Sequence, residues 1–185
     1  MKVKDIVISA LEIIGRSELA KSLAGGEELS AGDSETVNTL LYCFNATEDE
    51  LARKYMPLSY KEEITSQNGR FYFAAFVHAP VKLKSVTSDG KSVSYEIFPE
   101  YLKADARKIT VEYDYSPSKK ELGGTSDFGA EAGEYLLALG AAAEYCLING
   151  EAEAAELWEK KYRAAIDGAQ SKLPAGCSIP PRRWI

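Results

Sequence analysis

A switch in patterning, from a helical apolar period to short β-branched and aromatic runs between turn signals and back, constrains this chain more than any other feature of its sequence. Across residues 1–57 the spacing is helical. Ile6, Val7, Ala10, Leu11 and Ile14 mark a first helix ending at Gly15, and a short second helix, roughly Ser17 to Ala24, stops at Gly25-Gly26. Asp33 or Ser34 then caps a longer helix on which Val37, Leu40, Leu41 and Phe44 share a face with Leu51 and Tyr55. Thr47-Glu48-Asp49-Glu50 has the form of a capping box before Leu51. A break near Asn45 is one expectation; the other is one continuous or gently kinked helix of about 24 residues, ~36 Å long, ended by Pro57.

Residues 58–116 read as β. Tyr60–Ser66, Arg70–Phe76, Val81–Ser88, Lys91–Phe98 and Lys108–Tyr115 are rich in β-branched and aromatic residues and lie between turn signals. Asp89-Gly90 between two such runs predicts a tight hairpin, and Asp105-Ala106-Arg107 is a looser turn between Tyr101-Leu102 and the alternating Ile109, Val111, Tyr113, Tyr115. Helical spacing returns over 117–172. From Ser126 or Asp127 as cap, Phe128, Ala132, Tyr135, Leu136, Leu139, Ala143, Cys146 and Leu147 form one stripe. Asn149-Gly150 ends that helix, and a second from about Glu151 carries Ala154, Leu157, Trp158, Tyr162, Ala165, Ile166 and Ala169.

The expected fold class is α+β. The helices of 1–57 pack with an antiparallel helical hairpin of 117–172 as one helical body. The segment 58–116 is a small antiparallel β insert, a sandwich or partial barrel, and 173–185 is an extended tail stiffened by Pro174 and Pro180-Pro181.

Charge narrows the function. Twenty-two Lys and Arg against twenty-eight Asp and Glu leave −6, distributed as −4, 0 and −2 over 1–57, 58–116 and 117–185. That balance excludes a protein whose main work is gripping phosphates. Within the acidic last block, 168–185 holds Lys172, Arg182 and Arg183 and no carboxylate side chain. Cys43, Cys146 and Cys177 are widely spaced with no CxxC, and are expected to be free thiols in a reducing cytoplasm, two of them facing the core. Lys2-Val3-Lys4-Asp5 and Glu12 interrupt any signal-peptide pattern. The longest run of apolar or small residues, Leu136 to Ala143, is far short of the ~20 that cross a bilayer. The Asn45-Ala46-Thr47 sequon is then without consequence, and Thr47 is expected to cap a helix.

Catalytic and metal-binding patterns are weak. His78 is the single histidine, in an expected loop beside Ala79-Pro80, and a diiron bundle would need two Glu-x-x-His motifs. Gly90-Lys91-Ser92 resembles the end of a phosphate loop, but the first glycine would fall at Ser85 and the segment joins strand to strand. Gly124 to Gly129 is one residue too long for a nucleophile elbow. Glu48-Asp49-Glu50 and Glu151/Glu153/Glu156 are read as helix starts, where the dipole favours negative charge. Glu156–Lys160 and Glu159–Arg163 have the spacing of a solvated helix face. No catalytic residue, cofactor or metal is expected.

Two features point to assembly. Ala138, Gly140, Ala141, Ala142 and Ala143 put small side chains around much of one helix, which suits tight packing in the chain's own hairpin or against another subunit. The tail ends in Arg182-Arg183-Trp184-Ile185, residue types favoured as interface anchors, although a frayed terminus has the same composition.

The order of these blocks resembles the head-to-tail connector, or adaptor, proteins of tailed bacteriophages. The residues that carry the likeness are Leu51 through Tyr55-Met56-Pro57-Leu58, Pro80-Val81, and Val86 before Asp89-Gly90. Val111-Glu112-Tyr113-Asp114-Tyr115-Ser116-Pro117 and, most of all, Leu139-Gly140-Ala141-Ala142-Ala143-Glu144-Tyr145-Cys146 follow, then Ala154-Ala155-Glu156-Leu157-Trp158 and Tyr162. The resemblance spans roughly residues 1–170. It implies a non-enzymatic virion protein, synthesised in the bacterial cytoplasm. Such a protein forms a homo-oligomeric ring, usually of twelve copies, between the portal protein and tail proteins, and double-stranded DNA passes through it without sequence-specific binding. It also implies that Arg182, Arg183, Trp184 and Ile185 bind the portal or a neighbouring subunit. The alternative is a bacterial ligand- or peptide-binding module that uses the β insert, with His78, Tyr72 and Tyr95 lining a pocket.

Overall fold

A computed structural model describes residues 1–129 and 132–170. The protein is a mixed α+β chain, with five α-helices and two antiparallel sheets among the described residues. Helices α1 (Val3–Ile13), α2 (Ser17–Gly25) and α3 (Ala31–Glu50) come first, and α3 continues without a break into a π-helical turn, Leu51–Tyr55. The amide of Met56 donates to the carbonyl of Leu51 at 2.8 Å, and Pro57 stops the element. Seven strands follow: β1 (Leu58–Thr65), β2 (Arg70–Tyr72), β3 (Pro80–Ser88), β4 (Lys91–Ser92), β5 (Tyr95–Ile97), β6 (Tyr101–Ala104) and β7 (Lys108–Tyr115). Helices α4 (Glu134–Ile148) and α5 (Ala152–Gln170) complete the described chain.

Several boundaries differ from the sequence reading, each for a local reason. Helix α3 starts earlier than Asp33 or Ser34: Ser30 is its cap, accepting from the amide of Asp33 at 3.2 Å and donating to the Asp33 carboxylate at 2.6 Å. Thr47 caps nothing. It is buried in mid-helix, and its hydroxyl donates back to the Cys43 carbonyl at 2.9 Å. Glu48, Asp49 and Glu50 close α3 rather than start a helix, and Asp49 and Glu50 pair one turn onward with Arg53 and Lys54. The run Arg70–Phe76 gives way after Tyr72 to a 3-10 turn at Phe73–Ala75, and Lys91–Phe98 divides at 93–94 so that β4 and β5 join different sheets. Helix α4 starts at Glu134, after Gly133, because Ser126 and Asp127 are bound to Glu48. Tyr135, Leu147 and Leu157, expected on apolar stripes, are exposed.

The four-stranded sheet has the order β1-β7-β3-β4 and the three-stranded sheet β2-β6-β5. In β7 the alternating Ile109, Val111 and Tyr113 are fully buried, and they share one apolar cluster with Val86, Phe71, Leu102 and Ala104 from both sheets. Asp89 and Gly90 both have positive φ (49° and 76°), the backbone of a two-residue hairpin turn, with Ser88 paired to Lys91.

The other cluster is helical and drawn from both ends of the sequence: Val3, Ile6, Leu11, Leu40 and Phe44 pack with Phe128, Leu137, Leu139 and Ile166. Helix α4 contacts α1, α3 and α5, and 10 of its 15 residues are buried, so it is the centre of this body. Its small side chains are what let three neighbours approach. A Cβ on Gly140 would collide with Thr47 Cγ2 and lie 2.9 Å from Tyr162 Cε2. Ala138, Gly140, Ala141, Ala142 and Ala143 are therefore used in packing within the chain itself. Cys43 and Cys146 are buried as expected; Cys177 lies outside the described residues.

Candidate functional site

Where the chain returns from β7 toward α4, it is tied to α3 by side chains of α3. Asn45 accepts from the Lys120 amide (2.6 Å) and donates to the Lys120 carbonyl (3.1 Å). One turn on, Glu48 is 1% exposed and accepts from the Ser126 hydroxyl (2.6 Å) and the Asp127 amide (2.9 Å). Lys120 closes the group by pairing with Asp127 at 2.7 Å. Burial pushes the Glu48 carboxyl above the ordinary glutamate range, against the pull of Ser126, Asp127 N–H and Lys120. Glu48 Oε2, Asp127 Oδ2 and Ser116 Oγ are buried without a partner. This cluster fastens one segment to another.

A second cluster surrounds His78. Its ring stacks on Tyr115 at 4.0 Å and meets the edge of Tyr60 at 4.9 Å. Beneath it the buried Tyr113 hydroxyl donates to Glu62, which also accepts from the Val77 amide at 3.1 Å. Burial, then the Glu62 contact, raise the Tyr113 phenol above its usual range, so it remains a neutral donor. His78 is half-buried and serves as a wall of aromatic packing between the loop before β3 and the paired strands β1 and β7.

A cleft of about 870 Å³ opens beside β5 and β6 and is lined by Asn68, Tyr95, Glu96, Lys103 and Arg107 among others. Tyr95 is on it. Tyr72 instead packs against Tyr101 (5.6 Å), its partner three residues along β6 from Ala104, which pairs with Tyr95. With His78 on Tyr115, the three residues expected to share a pocket are not brought together. Among the described residues no group of three or more His, Cys, Asp or Glu is placed to hold a metal ion.

Another candidate surface is the outer face of α3, which sequence reasoning missed. Tyr42 is 65% exposed, and Ile148 and Leu147 at the end of α4 are 53% and 61% exposed. Tyr42 and Ile148 line one depression of about 550 Å³; Tyr42 also lines a second, of about 400 Å³, that runs on past Asp49 and Arg53. The available signal was rotational: Tyr42 falls opposite the stripe of Leu40, Phe44 and Leu51. Arg182, Arg183, Trp184 and Ile185 lie outside the described residues. Nor, among the described residues, is any helix long and apolar enough to cross a membrane. Comparison with known proteins finds no matching family model and no matching curated protein.

Proposed function

We propose that this chain is a structural head-to-tail connector of a tailed bacteriophage or prophage, acting through shape and self-association rather than catalysis. One observation carries the reading: a single helical core is built from the first and last thirds of the described chain, and a seven-stranded β region is inserted between Pro57 and Ser116. That is the block order of the connectors the sequence resembles. In this reading the two sheets, sharing one core, are a small sandwich, α4 and α5 are the arms of an antiparallel hairpin, and copies close into a ring between portal and tail. The net charge of −6 favours a conduit that DNA crosses without adhering. Portal attachment falls to the tail residues Arg182 to Ile185.

Electron microscopy and native mass spectrometry of the protein, alone and mixed with its portal, test the proposal. Rings are the expected result; a monomer under both conditions overturns it. Deleting 176–185 is expected to abolish portal attachment while leaving the circular dichroism spectrum intact. The alternative, a ligand- or peptide-binding module, draws support from the cleft beside Tyr95.

A further inference from the structure

We infer that the outer face of α3 is a docking track for the chain's own C-terminal segment, residues 171–185. The two depressions on α3 share Tyr42 and follow one helical stripe: Ala31, Glu35, Asn38, Tyr42, Asp49, Arg53. The stripe leads to where the described chain ends. The Gln170 side chain donates to the Tyr55 carbonyl at 2.9 Å, which pins the end of α5 beside the end of the π turn. Fifteen residues remain beyond that point. Extended, they span up to ~50 Å at ~3.3 Å per residue. Arg53 to Ala31 is ~33 Å along the helix at ~1.5 Å per residue. The segment is long enough to run the whole stripe.

The chemistry of the two matches. Between Lys21 and Arg53 the sequence has seven carboxylates and no Lys or Arg. Glu48 is buried, Asp49 and Glu50 pair with Arg53 and Lys54, and Asp33 is bonded to Ser30, so the charge open to a partner is that of Glu27, Glu28 and Glu35. Glu27, Glu28 and Glu35 are exposed and form no ion pair among the described residues. Glu35 shares its depression with Tyr42 and Ile148, which offer exposed apolar surface. The C-terminal segment has the complementary set: Lys172, Arg182 and Arg183 without an acidic side chain, then Trp184 and Ile185. Opposite charges at the edge select this peptide, and burial of the aromatic and aliphatic ends supplies most of the affinity. A tether makes the event intramolecular, so modest contact suffices. The inference does not depend on the connector reading. If the tail also binds a portal, that partner must displace it from α3.

Full-length protein carrying Trp158→Phe leaves Trp184 as the only tryptophan, and acrylamide quenching of its emission reads the docking. Shielding at least ~2-fold stronger than in the free peptide 171–185 is expected, unchanged on dilution from ~50 to ~0.5 μM. Adding Tyr42→Ser with Ile148→Ser, both at exposed positions, is expected to return quenching to the peptide value. Glu35→Lys is expected to weaken shielding partway and to reduce its salt dependence. Peptide-like quenching in the parent overturns the inference. So does shielding that survives Tyr42→Ser/Ile148→Ser. Shielding lost on dilution also overturns it, assigning the occupant to a second copy instead.

Discussion

At Gly140 three helices meet, and the absence of a single methyl sets their spacing. Replacing Gly140 by Ala gains about 1 kcal/mol of helix propensity but forces the Thr47 and Tyr162 side chains apart. Overpacking of this kind costs about 1–3 kcal/mol, so Gly140→Ala is expected to be destabilising and to lower Tm by a few degrees in a thermal melt, with Gly140→Val worse. An unchanged or raised Tm would mean that α3 and α5 yield freely around α4. Glu48 presents the opposite problem, a carboxyl buried with one oxygen unpartnered. Its folded-state affinity for a proton is raised, so its contribution to stability is complete at acidic pH. That contribution is lost as pH climbs from the ordinary glutamate range through the raised value, because the unfolded state releases the proton first. Glu48→Gln removes that titration while keeping an acceptor for Ser126 and Asp127. Urea denaturation at several pH values is expected to show stability of the variant relative to the parent rising with pH across that window. A constant difference would show that Glu48 carries the same charge in both states.

At the scale of elements, the cap of α3 is a direct measure of what Ser30 supplies. Its hydroxyl satisfies the Asp33 amide, and Ser30→Ala is expected to cost about 1 kcal/mol in chemical denaturation, whereas Ser34→Ala is expected to cost little. Equal costs would place the helix start where the sequence suggested. The difference explains what was legible. Apolar periodicity located α1, α3 and α5 and the Gly25-Gly26 stop bounded α2, while β-branched and aromatic runs between turn signals located β1 and β3 and alternation located β7. The Asp89-Gly90 turn was legible because few residue pairs adopt two successive positive φ angles. Ends decided by distant partners were not. Ser126 has the composition of a cap, but Glu48, 78 residues away in sequence, takes its hydroxyl, and α4 begins only after Gly133. Strands β4 and β5 separate because they pair in different sheets. Tyr42 escaped notice as a candidate site residue because exposure of one aromatic depends on what α4 and the 116–119 segment leave open beside it.

For the molecule as a whole, the decisive fact is that its apolar residues form two clusters of unequal size. Among the described residues, 25 buried side chains make the helical cluster and eight make the β cluster. Hydrophobic stabilisation grows with buried apolar area, so the β region is held by the weaker core, although its strands are well paired. The covalent connections to the helical body are Pro57 and the segment from Ser116, the latter anchored by Asn45 and Glu48. Local opening of the β region therefore need not disturb α1, α3, α4 and α5, which keep their own contacts. Native-state hydrogen exchange is expected to show amides of β1, β3 and β7 opening at a lower free energy than those of α3 and α4. Leu102→Ala, a truncation in the centre of the β cluster, is expected to lower the β free energies by about 2–5 kcal/mol and leave the helical amides within error of the parent. If Leu102→Ala lowered both sets equally, the two clusters would unfold as one unit. The tie through Asn45 and Glu48 would then couple them rigidly, and any ring would be assembled from protomers that fold and move as single blocks.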